Sequence, residues 1–405
     1  MFFTKDDFKH KTASEFSIPL CGKCGFYKYC NTPKMSPVGK GKKKILILTE
    51  HPTNTEDITG KLLSGEGGAQ IHSILNSLNI NLKRDCWVSS ALICHPNKKV
   101  TEKEIEYCRP NFLTTLKVLQ PVVIIPMGKL AIECIIRYVW KDEKTDSIDK
   151  WVGWKIPSQK INTWICPTFS PEFLLENPNP AKTLAVTKHF KQARDIIGKP
   201  WKVIPDYNKD VIVSYSSDDV GKTIKGMMES ERPLAFDYET DRLKPDSKES
   251  QIICCSVSDG KKSVAYPWDK RTAMITQQLL KSDIPKIGAN IKFEERWTKR
   301  IFGHGVKNWK WDTVLAAHWL DCRSGVTSVK FQSFVRLGCE DYDSDIKPFL
   351  QADGTNKPNR IKELPIDKLL TYCALDSLLE YKIAESQWWE SGYSLLSECQ
   401  KWEKV

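Results

Sequence analysis

Long hydrophobic stretches are missing from this sequence. No apolar run reaches the roughly 20 residues that a membrane-spanning helix needs. The first residues, 1–3 followed by charged residues, lack the apolar core of a secretion signal. Internal repeats and long low-complexity segments are also absent, which excludes a repeat architecture. We therefore expect a globular, cytoplasmic protein with no membrane partner.

Cysteine, by contrast, is plentiful, with 14 residues in a chain of 405. Because the cytosol is reducing, we expect free thiols rather than disulfides, and a spaced subset is a candidate for a metal or cluster site. The length favours two domains over a single core. The formal net charge of +11 suits a polyanionic partner such as DNA, although a lysine-rich surface alone would give the same balance.

The first 200 residues alternate short apolar strands with helices. Strands are predicted at 44–49, 86–93, 122–125 and 163–166, and helices at 67–78, 110–119 and after Gly128. Apolar strands of this kind, separated by helices, predict a parallel sheet that is covered on both faces. We therefore predict a three-layer α/β/α domain over residues 1–200.

A second unit follows a segment around residues 198–208 that carries proline, glycine and lysine without a clear period. Further strands are predicted at 211–214, 234–239 and 252–257. The chain after Ile287 is predicted to be mostly helical. The sequence thus predicts a second α/β domain over residues 205–405.

Acidic residues in this second unit occur at spacings that bring them together. Asp237 and Glu239 are two residues apart on a strand, so both carboxylates face the same way. Two anions held together are unfavourable unless cations lie between them. Tyr372 and Asp376 are four residues apart on an apolar helix, so these side chains also share a face.

Two other acidic positions lie between these pairs. Asn290 and Glu294 are predicted to share one face at the start of a helix. Asp312 follows within Trp-Asp-Thr, and we expect a structural role for it rather than metal ligation. Each of these motifs is common by itself, and only the ordered set is specific.

The ordered set resembles the three exonuclease motifs of the DEDD superfamily, in the subtype with tyrosine before the last aspartate. The resemblance covers about residues 205–400 and is closest to the proofreading domain of family A DNA polymerases, especially those of phages. It implies an RNase H-like fold and 3′–5′ hydrolysis of DNA with two Mg²⁺ or Mn²⁺ ions. Two such ions about 4 Å apart can supply a nucleophilic hydroxide and relieve charge on the leaving oxygen.

The resemblance also implies a role for each matching residue. Asp237 would bridge both ions, and Glu239 and Asp376 would bind the ion that activates water. Tyr372 would orient that water. The alternative is an exonuclease fold that has lost its activity.

One position departs from the family pattern, because Glu294 stands where the family usually has aspartate. Its longer side chain would still reach a metal ion. Asn290 and Phe293 of the same motif would contact nucleic acid, with single-stranded 3′ ends as the substrate. No synthesis domain follows Asp376, so we expect a polymerase either as a separate chain or as a missing C-terminal domain.

Four cysteines of the first domain form a spaced set. Cys21 and Cys24 make a CxxC motif, Cys94 follows the second strand, and Cys108 precedes a proline. The set resembles the [4Fe–4S] pattern of family 4 uracil-DNA glycosylases, which implies a structural cluster on these four residues. Zinc on the same four cysteines and a set of buried free thiols are the alternatives. Cys30 is expected to lie outside the set.

The resemblance to these glycosylases covers about residues 15–195, and it also includes motifs around 49–52, Gly128 and 167–178. The residues of the family's active site have changed. Glu50 is retained, but Ser90 replaces the asparagine that reads uracil. Ser170 stands in place of the motif histidine, and Leu63 in place of the aromatic residue that stacks on the base. A fold does not carry its function once the site residues are gone.

These observations predict an exonuclease joined to a degenerate glycosylase-like domain that does not excise uracil. The expected setting is replication or repair of phage-like DNA, in the cytoplasm of a bacterial host. One alternative is a repair enzyme whose first domain actively excises a base. A second alternative is a non-catalytic docking subunit of a replisome.

Overall fold

The structure is a computed structural model that describes residues 18–392, except 142, 144, 146, 177, 355 and 356. The chain divides into two compact units, with the boundary between Lys202 and Val203. Each unit contains one β-sheet and its own helices. No helix in the described part of the chain is long and apolar enough to cross a membrane.

The first unit is built on a five-stranded sheet. Its strands are β1 (Ile45–Thr49), β2 (Cys86–Ser90), β3 (Val123–Pro126), β4 (Ile156–Ser158) and β5 (Thr163–Ile165). Their order across the sheet is β2-β1-β3-β5-β4, and every neighbouring pair is parallel except β4 with β5. Every residue of β1 is buried, as expected for a central parallel strand that is covered on both faces.

The helices of this unit lie in two groups around the sheet. They are α1 (Cys21–Cys24), α2 (Asn54–Thr59), α3 (Glu66–Ser77), α4 (Leu82–Asp85), α5 (Glu102–Leu119), α6 (Lys129–Val139), α7 (Pro171–Glu176) and α8 (Pro180–Asp195), with 3₁₀ turns at Phe26–Lys28 and Ile148–Lys150. Both α6 and α8 contact β3, while α5 packs on α6 and α3 packs on α7 and α8. The layers agree with the predicted α/β/α arrangement.

Two local predictions for this unit were wrong. Helix α5 begins at Glu102 rather than at residue 110, because Thr101 and Glu104 form a capping box that satisfies backbone N–H groups at the earlier position. Pro110 therefore lies inside the helix. Strand β4 was missed because it is short and carries Pro157, and an edge strand tolerates the missing donor of a proline.

The second unit is built on a six-stranded sheet. Its strands are β6 (Val211–Val213), β7 (Leu234–Thr240), β8 (Ile252–Ser258), β9 (Ser263–Pro267), β10 (Lys286–Gly288) and β11 (Trp309–Asp312). Their order is β11-β10-β7-β8-β9-β6. The pairs that β8 makes with β7 and β9 are antiparallel, and the other pairs are parallel.

The helices of the second unit pack on this sheet. They are α9 (Ser217–Glu229), α10 (Lys270–Lys281), α11 (Lys292–Phe302), α12 (Thr313–Leu320), α13 (Val329–Leu337), α14 (Lys347–Leu350) and α15 (Ile366–Ser391), with 3₁₀ turns at Tyr207–Asp210 and Ile361–Glu363. The long helix α15 crosses β6, β7, β8, β9 and β10, and α12 and α13 pack on it. Strands β9, β10 and β11 were missed in the sequence. Strands β10 and β11 are short and interrupt a region that is otherwise helical, whereas β9 has five residues, as many as β1.

Alternation along β7 separates a hydrophobic core from a polar face. Phe236 and Tyr238 point into a core that also contains Val220 of α9, Leu279 of α10 and Trp297 of α11. The residues between them therefore point to the other face, which α15 covers. This register directs two carboxylates of β7 toward α15.

Small residues allow α15 to lie close to the sheet. Cys373 and Ala374 pack against Cys254 and Ala265 of the neighbouring strands. The hydroxyl of Ser256, which lies opposite Asp237 on β8, donates a hydrogen bond of 2.7 Å to the carbonyl oxygen of Cys373. A direct hydrogen bond from β8 to the backbone of α15 thus fixes the distance between the helix and the centre of the sheet.

The turn between β8 and β9 packs beneath α15, and we expect Gly260→Ala to destabilise the second unit. Gly260 has φ +80°, and a Cβ there would lie 2.2 Å from Cδ1 of Tyr381. The strain of alanine in a left-handed backbone conformation and the clash of its Cβ with Tyr381 should together lower the free energy of unfolding by about 2–3 kcal/mol. Urea unfolding followed by tryptophan fluorescence measures the change.

The matched control for this substitution is Gly226→Ala in α9. A Cβ at Gly226 meets no atom within 4 Å. This variant should be as stable as the parent, or more stable by up to about 1 kcal/mol, because alanine favours a helix over glycine. A Gly260→Ala protein that unfolds at the parent's urea concentration would contradict the packing described here.

Candidate functional site

Helix α15 and strand β7 bring together a set of acidic side chains. One ligand atom each from Asp237, Glu239 and Cys373 lies within 4.8 Å of the other two. The thiol of Cys373 is 3.8 Å from both the carbonyl oxygen and Oδ2 of Asp237. Asp376, one turn further along α15, is only 8 % exposed. The sequence-predicted pairs from β7 and from α15 therefore converge at one place.

Burial makes this site electrostatically unfavourable without cations. Removal from water raises the pKa of Asp237, and the neighbouring carboxylate of Asp376 raises it further. The pKa of Glu239 lies well above its ordinary value for the same reason, with the charge of Asp237 as the next cause. Such a site favours either protonated carboxyl groups or bound positive charge.

One positive charge is already present at Asp376. Lys330 of α13 donates hydrogen bonds of 2.6 Å to Oδ1 of Asp376 and of 2.9 Å to the hydroxyl of Tyr372. A third bond of 2.9 Å joins its ammonium to the hydroxyl of Tyr342. Tyr342 in turn donates to the same Oδ1 at 2.6 Å. Asp376 and Tyr372, which sequence spacing placed on one helix face, are thus joined through a single ammonium group.

Glu294 reaches the same region from α11. It is the third residue of that helix and only 3 % exposed. Burial raises its pKa well above the ordinary value, and Asp237 is the next cause. Its Oε2 atom has no hydrogen-bond partner among the described residues. A buried carboxylate oxygen of this kind is available to a cation.

The prediction that Asn290 and Glu294 share a helix face was wrong. Asn290 lies before α11 with φ +58°, a left-handed conformation that asparagine tolerates, and its side chain is exposed. Phe293 is half-buried and packs against the hydrophobic core, with its ring 6.2 Å from that of Trp297. Of the two residues proposed to contact nucleic acid, Asn290 is therefore the one fully open to solvent.

Asp312 organises the backbone next to the site. It caps α12 by accepting hydrogen bonds from the N–H groups of Val314 and Leu315 at 2.9 and 3.1 Å. The N–H groups of Asn290 and Ile291 donate to the same carboxylate at 3.0 and 3.1 Å. Asp312 thereby ties the start of α11, which carries Glu294, to the end of β11.

Sequence reasoning missed four residues that surround this site: Lys330, Tyr342, Cys373 and Glu380. Glu380 is fully buried on α15, and its raised pKa results first from burial and then from the charge of Asp237. Its spacing of four residues from Asp376 was a readable signal, since residues at that spacing share a helix face. Lys330 and Tyr342 have no such signal, because they reach Asp376 only through the packing of α13 and the segment that follows it on α15.

A second candidate site lies in the first unit, where four cysteines line one cavity. Cys21 and Cys24 of α1 face Cys94 and Cys108 across it, and Phe26 and Tyr27 also line it. Cys30 does not line the cavity, but its thiol hydrogen-bonds with Cys94 and it packs against the same cluster. Burial raises the pKa of Cys24 and Cys108, and that of Cys94 to about 12.

Two observations bear on what the cysteine cavity could bind: the hydrogen bonds to its sulfur atoms and the distances between those atoms. The backbone N–H of Lys34 donates to Sγ of Cys94 at 3.3 Å, and the amide of Asn111 donates to Sγ of Cys108 at 3.5 Å. Such bonds stabilise a thiolate. In the described part of the chain, no three cysteine sulfur atoms lie within 4.8 Å of one another. Sulfur ligands of one tetrahedral zinc ion would be only about 3.8 Å apart, given Zn–S bonds of about 2.3 Å.

Glu50 is held firmly at the end of β1. Its Oε1 accepts a hydrogen bond of 2.8 Å from the N–H of Leu130 at the start of α6. Gly128 has φ +90°, and a Cβ there would lie 2.5 Å from Cδ of Glu50. Burial raises the pKa of Glu50 above its ordinary value. The glycine is therefore needed both for its backbone conformation and for the close approach of this carboxyl group.

The other three predicted pocket positions have internal structural roles. The hydroxyl of Ser90 lies 2.7 Å from that of Thr49. The hydroxyl of Ser170 accepts a hydrogen bond of 3.2 Å from the N–H of Phe173, in the first turn of α7. Leu63 is only 6 % exposed and has φ +53°. The structure thus uses these side chains for packing and local hydrogen bonds.

Two histidines near this pocket were not singled out from the sequence. The Nδ1 atoms of His51 and His95 lie 3.1 and 2.8 Å from the carbonyl oxygen of Pro52. Burial lowers the pKa of His51, so its imidazole is neutral at physiological pH. His51 immediately follows Glu50, which was the available signal for it.

Comparison with protein families supports both resemblances. Residues 36–194 match the uracil DNA glycosylase superfamily, and residues 212–388 match a 3′–5′ exonuclease family. The type-4 uracil-DNA glycosylase of Saccharolobus solfataricus is 28 % identical over 186 residues, which is 44 % of this chain and 83 % of that protein. The enzyme of the same name from Archaeoglobus fulgidus is 24 % identical over 192 residues, 47 % of this chain and 94 % of its own length.

A relative that spans both units is the DNA polymerase of Bacillus phage SP01. It is 24 % identical over 396 residues, which cover 88 % of this chain but only 41 % of the polymerase. Among solved structures, Trypanosoma brucei RNase D matches 46 % of this chain and 66 % of its own, with 18 % identity and a TM-score of 0.36.

The protein is an enzyme of the nucleic-acid hydrolase class. Its chain carries a domain of the uracil DNA glycosylase superfamily followed by a 3′–5′ exonuclease domain related to that of family A DNA polymerases. The predicted fold class, a glycosylase-like α/β/α domain before an RNase H-like domain, is confirmed.

Proposed function

We propose that this protein removes nucleoside monophosphates one by one from the 3′ ends of DNA, in the replication or repair of phage-like DNA. The observation that carries the proposal is the convergence of Asp237 and Glu239 of β7 with Asp376 of α15, whose charge raises the pKa of both. The proposed substrate is a single-stranded or frayed 3′ end. An unpaired base enters an active-site channel without the cost of unstacking.

The acidic site fits two divalent cations. Carboxylate oxygen is the ligand that Mg²⁺ and Mn²⁺ prefer, and the unpartnered Oε2 of Glu294 adds a fourth carboxylate to those of β7 and α15. Bound there, two such ions would supply an activated water and neutralise charge on the leaving oxygen. Asp237, Glu239, Asp376 and Glu294 would hold these ions.

The remaining polar groups of the site orient the reaction. The hydroxyl of Tyr372 lies on the same helix face as Asp376 and would hydrogen-bond the attacking water. Asn290, which is exposed at the start of α11, and the neighbouring Phe293 would contact the terminal nucleotide.

For the first unit, the proposal is a structural [4Fe–4S] cluster on Cys21, Cys24, Cys94 and Cys108. The support is that these four cysteines line one cavity. Cys30 does not line it, although its thiol lies beside Cys94. Their separation favours a cluster over a single zinc ion, because each thiolate of a cluster binds a different iron. The N–H···S bonds to Cys94 and Cys108 would stabilise the ligating thiolates.

We further propose that the glycosylase-like pocket does not excise uracil. Ser90 and Ser170 use their hydroxyl groups within the protein, so neither replaces the polar contacts that a base would need. Leu63 offers no stacking surface because it is buried. The surviving role of this unit is to hold DNA or a polymerase partner for the exonuclease.

The phage polymerase that matches 88 % of this chain supports a polymerase partner. One observation favours a different candidate function, excision of another base. Glu50 keeps its position, and His51 next to it presents a neutral imidazole. A reshaped pocket with these two groups would still suit a base other than uracil, and the assay below distinguishes the two.

Replacing Asp237 with alanine should abolish 3′ trimming, because the change removes the bridge between the ions and leaves core packing intact. Activity on a 5′-labelled single strand should fall by at least about a thousandfold, and removal of Mg²⁺ and Mn²⁺ should have the same effect. Glu294→Asp should keep or raise activity, since it restores the usual family residue. Gel analysis of the labelled products measures both.

The control for this experiment is Asp246→Asn, which removes an exposed carboxylate that pairs with Arg296 in the same unit. It should trim like the parent. An Asp237→Ala protein that digests DNA at the parent's rate would show that the active site lies elsewhere. A parent protein without activity under any metal would instead favour the docking-subunit alternative.

Protein purified without oxygen should be brown and contain about four iron atoms per chain. Cys21→Ser and Cys108→Ser should each lose the colour and destabilise the first unit, because the cluster joins α1 to the start of α5. Cys30→Ser is the matched control and should keep its iron. Iron analysis and visible absorption measure the outcome, and colourless protein with one zinc ion would overturn the assignment.

The absence of uracil excision can be tested once trimming is silenced. Asp237→Ala protein, incubated with a duplex that carries one uracil, should leave no alkali-labile abasic site at a catalytic rate. A bacterial uracil-DNA glycosylase serves as the positive control. Abasic sites in the uracil duplex would refute the proposal, and abasic sites only in duplexes with deaminated or alkylated purines would favour excision of another base.

A further inference from the structure

Lys330 uses all its hydrogen-bond donors at the candidate active site. Its ammonium has three donors, and these contact Oδ1 of Asp376 and the hydroxyl groups of Tyr342 and Tyr372 at 2.6, 2.9 and 2.9 Å. Tyr342 donates its own hydrogen to the same Oδ1 at 2.6 Å. Every donor of the ammonium is thus used within the site, and both bonds to Asp376 fall on one oxygen.

The backbone that carries Lys330 is rigid. Lys330 is the second residue of α13, whose first turn is capped by the hydroxyl of Ser328. Phe331 and Phe334 of the same helix are buried, and α13 packs along α15. A lysine anchored in this way can hold a neighbouring carboxylate in one orientation, which a lysine on a mobile loop could not do.

The charges at the site favour a positive group besides the ions. Five buried or half-buried carboxyl groups surround it: Asp237, Glu239, Glu294, Asp376 and Glu380. With all five ionised, two divalent ions would balance four of the five negative charges. Lys330 supplies the fifth positive charge. Its ammonium opposes the rise in pKa that burial imposes on Asp237 and Glu239.

We infer that Lys330 is a positioning residue of the exonuclease reaction. Together with Tyr342, it fixes Oδ1 of Asp376, so that Oδ2 is the oxygen presented to the divalent ion. Through its third bond it also holds the hydroxyl of Tyr372, which is itself hydrogen-bonded to Asp376, beside that carboxylate. This inference rests on the proposed role of Asp376 as a metal ligand.

The test is Lys330→Met, which keeps most of the side-chain stem and removes the charge and the donors. Loss of a group that orients a metal ligand typically lowers metal affinity or activity by about 10–100-fold. We therefore expect a kcat lower by about 10–100-fold with KM for DNA changed by less than about twofold, because the group does not hold the bulk of the substrate. Mn²⁺ affinity, measured by calorimetry on metal-free protein without DNA, should fall by about tenfold.

Two further variants separate positioning from a general loss of structure. Lys330→Arg keeps the charge and should recover part of the Mn²⁺ affinity. Tyr342→Phe keeps the ring and removes one of the two donors to Oδ1, so its loss should be smaller than that of Lys330→Met. Thermal unfolding of the metal-free proteins shows whether each variant is folded, and Tyr342→Phe carries the test if Lys330→Met is not.

The matched control is Lys382→Met on α15. Lys382 is also half-buried and hydrogen-bonded, at 3.0 Å to the carbonyl oxygen of Gly260, and its ammonium lies 5.4 Å from the centre of the Tyr207 ring. Its contacts are away from the carboxylates. Lys382→Met should therefore keep the Mn²⁺ affinity and kcat of the parent, whatever its effect on stability.

Two results would overturn the inference. Lys330→Met and Tyr342→Phe could bind Mn²⁺ as tightly as the parent, or Lys330→Met could bind it more tightly, in which case the ammonium competes with the ion for Asp376. Asp376→Asn separates these failures from failure of the proposed site. If Asp376→Asn is inactive while Lys330→Met behaves like the parent, only the inference on Lys330 fails. If Asp376→Asn trims DNA normally, the metal site itself is misassigned.

Discussion

Burial of like charges between β7 and α15 is the constraint on which the second unit depends. Asp237 and Glu239 point toward the helix because Phe236 and Tyr238 must point into the hydrophobic core on the other face of the strand. The helix then adds Asp376 to the same volume. Ionised carboxylates this close in a poorly hydrated site repel one another, so the site favours either protonated carboxyl groups or positive charge between them.

Contacts around the acidic site fix the positions of its carboxyl groups. Cys373 and Ala374 are small enough for α15 to approach the sheet, and Ser256 bonds directly to the backbone of the helix. Asp312 fixes the start of α11 and therefore the position of Glu294. Lys330 is the cation that the chain itself contributes. The residues proposed to bind metal ions thus come from three elements, and each element is anchored by contacts that involve no ion.

The first unit keeps a glycosylase-like frame around a pocket that we propose has changed. Glu50 still accepts a backbone hydrogen bond at the start of α6, and Gly128 still leaves room for it. Ser90 and Ser170, however, form hydrogen bonds that any small hydroxyl side chain could form. The sheet and the cysteine cavity need only apolar strands and four thiols, whereas base recognition needs particular polar groups at particular places.

The sequence by itself determined the class of both folds, the pairing of Asp237 with Glu239 and of Tyr372 with Asp376, and the four cysteines of the cavity. These features follow from residue spacing within one strand or helix, or from an ordered motif, and spacing is local. Tertiary structure alone decided that Lys330 and Tyr342 hold Asp376, that Asn290 lies outside α11 in a left-handed conformation, and that Ser90 bonds to Thr49. Tertiary structure also decided the short strands β4, β10 and β11, because a strand of a few residues is stabilised by its neighbours in the sheet. Contacts of this kind join residues that are distant in the chain, and no local pattern encodes which of many possible partners a side chain meets.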